Sequence, residues 1–230
     1  MSGGFRVALY YAPVVTDPLH AAAASWLGRD AETGAQVPQP PVPGIDEVTA
    51  EPRVYGFHST LKPPMRLRPG CNWADVVEAT RALAAQIAPF DLPPLSVQDL
   101  HGFLALRETE PSASLQAYAD ACVAGLDRFR APPTADEMAR RRRASLSPEQ
   151  RAMLDRWGYP YVFGTWFFHM TLSRRLTPEE KDRLQPEAQR HFKSAVAVSR
   201  QVTEICLFTQ ASPSQPFLIA ERVPLQGQPL

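Results

Sequence analysis

Two short stretches of similar sequence constrain this chain more than any other feature. The stretches HSTL at 58–61 and HMTL at 169–172 each read His, any residue, Thr and an apolar residue, and they lie 111 positions apart. On a strand, residues i and i+2 point to the same face. Each stretch is therefore expected to present one imidazole and one hydroxyl side by side, with the following leucine turned to the opposite face.

Repetition of the motif carries the signal, because one His-x-Thr string means little. The 230 residues contain 5 His and 12 Thr, so about a quarter of a match is expected by chance, or roughly 0.1 with an apolar fourth residue. Two such matches by accident fall below about one in a hundred. The competing interpretation is a pair of unrelated strand histidines that are satisfied by local hydrogen bonds.

The repeated residue types suit the cleavage of a phosphodiester. The reaction needs a base on the attacking oxygen and an acid on the leaving oxygen, on opposite sides of phosphorus. Because the ordinary pKa of histidine is near 6.5, His58 and His169 can serve as this pair near neutral pH. The hydroxyls of Thr60 and Thr171 can donate hydrogen bonds to the phosphate oxygens that gain charge. No metal ion is then required.

Alternation along the two strands adds positive charge to the predicted site. Lys62 falls on the same face as the first imidazole, and Arg175 falls on the same face as the second. Both are predicted to bind the substrate phosphate. Arg174 is expected to point to the core side, so it ranks below Arg175. The face of the second strand opposite the site, at 168, 170 and 172, is wholly apolar and is expected to be core.

Composition limits the partners and the compartment. The net charge is zero and the pI is near 7.0, so long nucleic acid is not an expected partner and anion binding must be local. Cys71, Cys122 and Cys206 are scattered, which suits a reducing compartment and neither a disulfide framework nor a zinc site. No apolar run approaches the ~20 residues that span a bilayer. We expect a soluble cytoplasmic protein with no membrane partner, no metal and no cofactor, a monomer by default.

The order of predicted elements repeats once. Strands are predicted at 5–11, 54–61, 94–99, 102–108, 165–173, 196–209 and 216–223, and helices at 17–28, 72–87, 113–129, within 135–157 and from 177. Each motif strand is followed by a helix and then two strands. The sequence therefore predicts one α+β domain over 1–230: bilobed, with pseudo-two-fold duplicated antiparallel sheets, flanking helices, a central cleft and a helical insertion at about 131–157.

Three further features have alternative interpretations. Tyr10, Tyr161 and Phe167 are candidates for lining the cleft, although aromatic side chains here also suit the core. The run Arg140–Arg143 is either a solvated helix face or a funnel for an anionic substrate. The proline-rich segment 29–52 is expected to be a long loop, either a lid or a passive surface connection.

Longer strings around the motifs resemble a known family. YGFHSTLKPP at 55–64, GYPYV at 158–162 and FHMTL at 168–172 resemble the two-histidine (2H) phosphoesterase superfamily, in particular the bacterial branch encoded beside phosphonate-utilisation genes. The resemblance implies a bilobed fold and a metal-independent site for cyclic phosphodiester or phosphate-ester substrates. It also implies that His58 and His169 are catalytic and that Thr60 and Thr171 bind phosphate.

The sequence thus predicts a metal-independent phosphodiesterase whose substrate is a small sugar or nucleotide cyclic phosphate. The resemblance adds phosphonate metabolism as a candidate source of that substrate. Which histidine is the acid and which the base stays open. One alternative is an RNA-end-processing enzyme that opens cyclic phosphates or forms 2′,5′ links. Another is a non-catalytic module that binds a phosphorylated ligand.

Overall fold

The structure is a computed structural model that describes residues 5–142 and 145–228, with the backbone alone at 140–142. The strands in these ranges are β1 (Arg6–Tyr11), β2 (Ser59–Met65), β3 (Phe90–Leu92), β4 (Leu95–Asp99), β5 (Leu104–Glu108), β6 (Met170–Thr171), β7 (Arg200–Val202), β8 (Glu204–Gln210) and β9 (Leu218–Pro224). The helices are α1 (Pro18–Leu27), α2 (Ile45–Tyr55), α3 (Trp73–Ala84), α4 (Ala113–Leu126), α5 (Ala135–Arg142), α6 (Pro148–Trp157) and α7 (Pro178–Val196). Short 3₁₀ turns occupy Asp127–Phe129 and Phe163–Thr165.

Antiparallel sheets and flanking helices confirm the predicted α+β class. The larger sheet has the order β2-β1-β8-β9, the second has the order β4-β5-β6, and β3 pairs with β7. Every pairing in these sheets is antiparallel. The first motif lies at the start of β2 and the second at β6, and each of these strands is the edge strand of its sheet. We call the two units the four-stranded lobe and the three-stranded lobe.

Each motif strand belongs to a sheet that contains strands from both halves of the chain. β2 joins β1, β8 and β9, although β4 and β5 follow it in sequence, and β6 joins β4 and β5. The indole Nε1 of Trp166, which precedes the second motif, donates to the carbonyl oxygen of Thr60 in the first motif at 2.7 Å. The lobes are therefore interlocked, and the segment that precedes the second motif is bonded directly to the first motif.

The segment 29–52 is only partly a loop, so the prediction for it was wrong over its last eight residues. α2 begins at Ile45, after the prolines, and its buried residues are Ile45, Val48, Thr49 and Pro52, the i, i+3, i+4, i+7 spacing of a helix face. Asp46 and Glu47 in its first turn stabilise the helix, because their negative charges lie near the positive end of the helix dipole. Because α2 continues to residue 55, the predicted strand begins at Ser59 rather than at 54.

The second motif strand is shorter than predicted. β6 has two residues, which pair with Ala105 and Leu106 of β5, whereas the sequence predicted a strand over 165–173. A 3₁₀ turn at Phe163–Thr165 replaces the start of that strand. The alternation that defined the polar face therefore ends near residue 172. The apolar face itself is correct, since residues 168, 170 and 172 are fully buried.

The helices in the predicted insertion between the motifs begin at capping residues. Ser147 and Gln150 form a capping box at the start of α6, and Thr134 and Glu137 exchange the same two bonds at the start of α5. Two short helices, α5 and α6, thus lie within the interval from 135 to 157. Both interpretations of the run Arg140–Arg143 concern side chains that lie outside the described residues. Among the helices in the described ranges, none combines the length and the apolar character needed to cross a bilayer.

Candidate active site

The two motif histidines are held in the same way, one in each lobe. The Nδ1 atom of His58 lies 2.8 Å from the carbonyl oxygen of Gly56, and Nδ1 of His169 lies 3.3 Å from the carbonyl oxygen of Phe167. Each ring is thus anchored to the backbone two residues before it. Because a carbonyl oxygen only accepts, Nδ1 carries the hydrogen and Nε2 is the basic nitrogen of the neutral ring.

The hydroxyl of the first motif lies beside the basic nitrogen of its histidine. Oγ1 of Thr60 is 3.2 Å from Nε2 of His58, and with Nδ1 protonated the hydroxyl donates and Nε2 accepts. This is the side-by-side arrangement that the i, i+2 spacing predicts. Neither motif histidine lies inside its strand, since β2 begins at residue 59 and β6 at residue 170.

The pKa of each motif histidine is lowered, which favours the neutral form of both rings near pH 7. Burial lowers the pKa of His58 to about 4; the nearby His169 adds to this effect, while the hydrogen bond to Gly56 opposes it. Burial also lowers the pKa of His169, with a further contribution from the charge of Arg107 and opposition from the bond to Phe167. An anion between the two rings would raise the pKa of each and so favour its protonated form.

A cavity of about 490 Å³ brings the two motifs together. Its lining comes from α2, from the segments next to both motifs and from the β4–β5 turn: Glu51, Pro52, Tyr55, Gly56, His58, Phe103, Thr171, Ser173, Arg174 and Arg175. Thr60 and His169 are not lining residues but adjoin it. Thr60 bonds to the ring of His58, and the ring of His169 packs edge-on to Phe103 with centroids 6.1 Å apart.

Lys62 was predicted to face the phosphate, and the structure contradicts this. Its Nζ atom lies 2.9 Å from Oδ1 of Asp127 and 3.1 Å from the carbonyl oxygen of Val123, and the residue is 1% exposed. The register between β1 and β2 shifts by one residue between Thr60 and Lys62. Such a bulge puts Leu61 and Lys62 on the core side together, so strict alternation fails there.

Arg175, the second residue predicted to bind the substrate phosphate, does reach the cavity, and so does its neighbour Arg174. Arg175 lines the cavity and donates through Nη1 to the carbonyl oxygen of His101 at 2.6 Å. Arg174, which was expected on the core side, also lines the cavity, because the strand has ended before it. Its guanidinium pairs with Glu47 and Glu180 at 2.5 and 2.9 Å.

The three aromatic residues predicted to line the cleft lie elsewhere. Tyr10 is buried behind His58 and stacks on its ring. Tyr161 is exposed, packs edge-on to Tyr159 and is not a cavity-lining residue. Phe167 is not a lining residue either, but its ring lies 4.8 Å from that of His169. Tyr10 and Phe167 therefore support the histidines, and the expectation for Tyr161 was wrong.

Sequence reasoning missed three residues next to the histidines. Tyr55, at the end of α2, and Phe103, after the β4–β5 turn, form aromatic walls of the cavity. Arg107 lies two residues along β5 from the partner of Thr171, and its guanidinium sits 5.2 Å from the centre of the Phe167 ring. No motif marks these positions. Pairing across β5 could have placed Arg107, had the register been known.

Among the described residues, the two histidines are not part of a group of metal ligands. In the part of the chain that the structure describes, no group of three or more His, Cys, Asp or Glu side chains is placed to hold a metal ion. Three cysteines are present as free thiols. The polar side chains at the cavity are therefore two imidazoles, hydroxyls, guanidinium groups and the carboxylate of Glu51.

Two curated proteins are similar to this chain over most of its length. A ribose 1,5-bisphosphate phosphokinase PhnN from Janthinobacterium sp. (strain Marseille) is 38% identical over 97% of this chain and 51% of that protein. A protein of the same name from Laribacter hongkongensis (strain HLHK9) is 32% identical over 95% of this chain and 51% of that protein. The chain thus spans about half the length of the curated relatives it matches.

Similar solved structures cover nearly the whole chain at low identity. A crystal structure of a phosphoesterase shares 16% identity with a TM-score of 0.42, over 98% of this chain and 99% of that one. TT0787 of Thermus thermophilus shares 17% with a TM-score of 0.46, over 97% and 100%. E. coli LigT complexed with 3′-AMP shares 16% with a TM-score of 0.44, over 98% and 99%.

A family model described as "Protein of unknown function (DUF1045)" matches residues 60–218. The match covers more than half of the chain and includes Thr60 and the whole of the second motif. The chain belongs to the DUF1045 family.

Proposed function

We propose that this chain is a metal-independent phosphodiesterase that hydrolyses a small cyclic phosphate of a sugar or a nucleotide. The observation that carries the proposal is the matched anchoring of two imidazoles. His58 and His169 come from different lobes, and each has its Nδ1 fixed by a backbone carbonyl, which leaves Nε2 as the basic nitrogen. His58 lines the cavity, and His169 packs against Phe103 of its wall. Two such groups on either side of a phosphate provide general base and general acid.

The reaction needs one proton taken and one proton given. One imidazole removes a proton from water as the water oxygen bonds to phosphorus, and the ester bond to the leaving oxygen breaks. The other imidazole, protonated, gives its proton to that oxygen. Thr60 and Thr171 donate hydrogen bonds to the two non-bridging oxygens, where negative charge increases. The products are a phosphomonoester and a free hydroxyl on the same molecule.

The imidazole that acts as the general acid must be protonated, but the neutral form of both rings is favoured in the free protein near pH 7. The pKa of both histidines is lowered when the cavity contains no anion. A phosphodiester carries one negative charge, and a negative charge close to an imidazole raises its pKa. We therefore expect substrate binding to be coupled to the uptake of a proton by one of the two rings.

The curated relatives support a sugar phosphate as the substrate, because their names refer to ribose 1,5-bisphosphate. The phosphokinase activity in those names does not extend to the proposal. The chain spans about half of those proteins, and its sequence has no Gly-x-x-x-x-Gly-Lys-Ser/Thr string of the kind that cradles nucleotide phosphates. The proposal rests on the paired motifs, which also carry the resemblance to two-histidine phosphoesterases and their phosphonate-linked branch.

A hydrolysis screen tests the proposal. Nucleoside 2′,3′-cyclic phosphates and ribose cyclic phosphates are incubated with the wild-type protein, with and without EDTA, and with His58→Ala and His169→Ala variants. We expect turnover that survives the chelator and falls by about 10²–10⁴-fold in each variant. Loss of activity in EDTA, or near-normal rates in either variant, contradicts it. Tight binding without any product indicates a ligand-binding module instead.

A further inference from the structure

Arg175 is held by an unusual turn between β4 and β5. His101 has a φ of 53° and Gly102 a φ of 100°. Positive φ is uncommon for a residue other than glycine and persists where the surroundings fix it. The conformation of His101 directs its carbonyl oxygen to Nη1 of Arg175 at 2.6 Å. The turn thus fixes one edge of the guanidinium.

Three further bonds lock this turn to the segment that carries Arg175. Oδ1 of Asp99 accepts the Gly102 amide hydrogen at 2.7 Å, and Oδ2 pairs with Nζ of Lys181 at 3.1 Å. The amide of Leu176 donates to the carbonyl oxygen of Gly102 at 2.7 Å. The turn, the residue after Arg175 and the first turns of α7 therefore form one unit. Arg175 is positioned before any ligand arrives.

Arg175 is a cationic residue of the cavity wall whose described hydrogen bond is to a carbonyl oxygen and not to a carboxylate. The other cation on the cavity wall, Arg174, is already paired with Glu47 and Glu180. The described contacts of the Arg175 guanidinium consist of one bond to a neutral carbonyl, and the residue is exposed. A guanidinium has five N–H donors, so several remain for a ligand. Among the residues that the structure describes, Glu51 is the one carboxylate that lines the cavity.

The cavity has room for more than the phosphate that reacts. Its volume of about 490 Å³ is typical of sites that hold a whole small molecule. The motif histidines and threonines supply the contacts for the reacting phosphate. Arg175 lies beyond the end of β6, after the chain has left the strand that carries Thr171. A ligand that fills the cavity therefore extends from the motifs toward this guanidinium.

We propose that Arg175 binds a second phosphate group of the substrate, one that is not cleaved. The substrate class is then a sugar or nucleoside cyclic phosphate that bears a further phosphate monoester. A phosphate monoester matches the fork of donors on a guanidinium and forms two charge-assisted hydrogen bonds with it. The inference deepens the proposed function and rests on it for the position of the reacting phosphate.

The test measures binding of two matched ligands in the absence of turnover. Adenosine 2′,3′-cyclic phosphate and the same molecule with a 5′-phosphate are titrated by calorimetry into the His169→Ala protein. Arg175→Gln and Arg175→Lys are then added to that background, with Arg81→Gln as the control. Arg81 forms an exposed ion pair with Glu221 away from the cavity.

We expect the 5′-phosphate to lower Kd by about tenfold or more. Arg175→Gln should abolish this gain and leave Kd for the unphosphorylated ligand unchanged. Arg175→Lys should retain part of the gain, and Arg81→Gln all of it. Equal weakening of both ligands by Arg175→Gln places the residue at the reacting phosphate and overturns the inference. A gain that survives Arg175→Gln, or no binding of the phosphorylated ligand, also overturns it.

Failure of the proposed function would look different. If the wild-type protein cleaves neither ligand, yet the gain from the 5′-phosphate depends on Arg175, the phosphodiesterase proposal fails and the anion subsite stands. If both ligands are cleaved and Arg175→Gln leaves the ratio of their kcat/KM values unchanged, the phosphodiesterase proposal stands and the subsite fails.

Discussion

The imidazole of His58 stacks on the phenol ring of Tyr10, with ring centroids 3.7 Å apart and planes inclined by 19°. Tyr10 is 1% exposed and packs against Phe208 and Phe217 as well. The histidine therefore has a rigid surface behind one face, a carbonyl oxygen on Nδ1 and a hydroxyl beside Nε2. These contacts together fix the orientation of the ring.

The stacking contact predicts that Tyr10 matters through its ring. Tyr10→Phe keeps the stack and should retain activity and most of the stability, with a loss below about 1.5 kcal/mol. Tyr10→Ala opens a cavity behind His58 and should lower the free energy of unfolding by about 3–5 kcal/mol, with a lower kcat in the fraction that folds. Chemical denaturation and steady-state kinetics measure both. Equal kcat for the two variants would show that the stack does not position the imidazole.

The two histidines should act as a pair. His58→Gln and His169→Gln should each lower kcat by about 10²–10⁴-fold, because each removes a proton-transfer group. His20→Gln is the matched control. His20 pairs with Asp30 at 3.4 Å outside the cavity and should leave kcat unchanged. Rates on a cyclic phosphate, with circular dichroism to verify folding, decide the outcome. A large effect of one motif histidine alone would contradict catalysis by both.

The lowered pKa of His58 predicts a loss of stability in acid. Its pKa falls from 6.5 to about 4 on folding, so between these pH values the unfolded chain binds the proton and the folded protein does not. The free energy of unfolding should therefore fall as the pH drops from about 6.5 toward 4. Since the ring is half-buried, we expect this residue to account for about 2 kcal/mol of the fall.

Urea denaturation at pH 7 and pH 4.5 measures this loss. The His58→Gln protein has no ionisable group at this position, so its stability should fall less than that of the wild type over the same interval. An equal fall in the two proteins would show that His58 is protonated in the folded state at pH 4.5.

The buried ion pair of Lys62 predicts a structural role. Lys62→Met replaces the ammonium by an apolar side chain of similar length, and Asp127 keeps its bond to Arg130 at 2.7 Å. We expect unchanged kcat and KM and a small change in stability. Asp127→Ala leaves the ammonium buried without its carboxylate and should cost about 3–5 kcal/mol. A large rise in KM for Lys62→Met would show that the lysine contacts substrate.

The sequence determined the class of the fold and suggested the chemistry that we propose for the site. Local patterns sufficed, because capping residues define where helices begin and the i, i+2 spacing places His58 beside Thr60, although β2 begins only at Ser59. Because the motif is repeated, the sequence predicted that His169 and Thr171 belong to the site, although it carried no information on how far they lie from the first motif. The apolar positions flanking the second motif were also correct, since burial follows from side-chain type.

Only the tertiary structure decided which residues surround the motifs. A one-residue shift in the register between β1 and β2 sends Lys62 into the core, and a strand of two residues lets both Arg174 and Arg175 reach the cavity. Register and strand length depend on partners that lie far away in sequence. For the same reason the sequence could not show that each motif strand lies at the edge of a sheet built from both halves of the chain, with His58 lining the cavity and Thr171 of the second motif lining it as well.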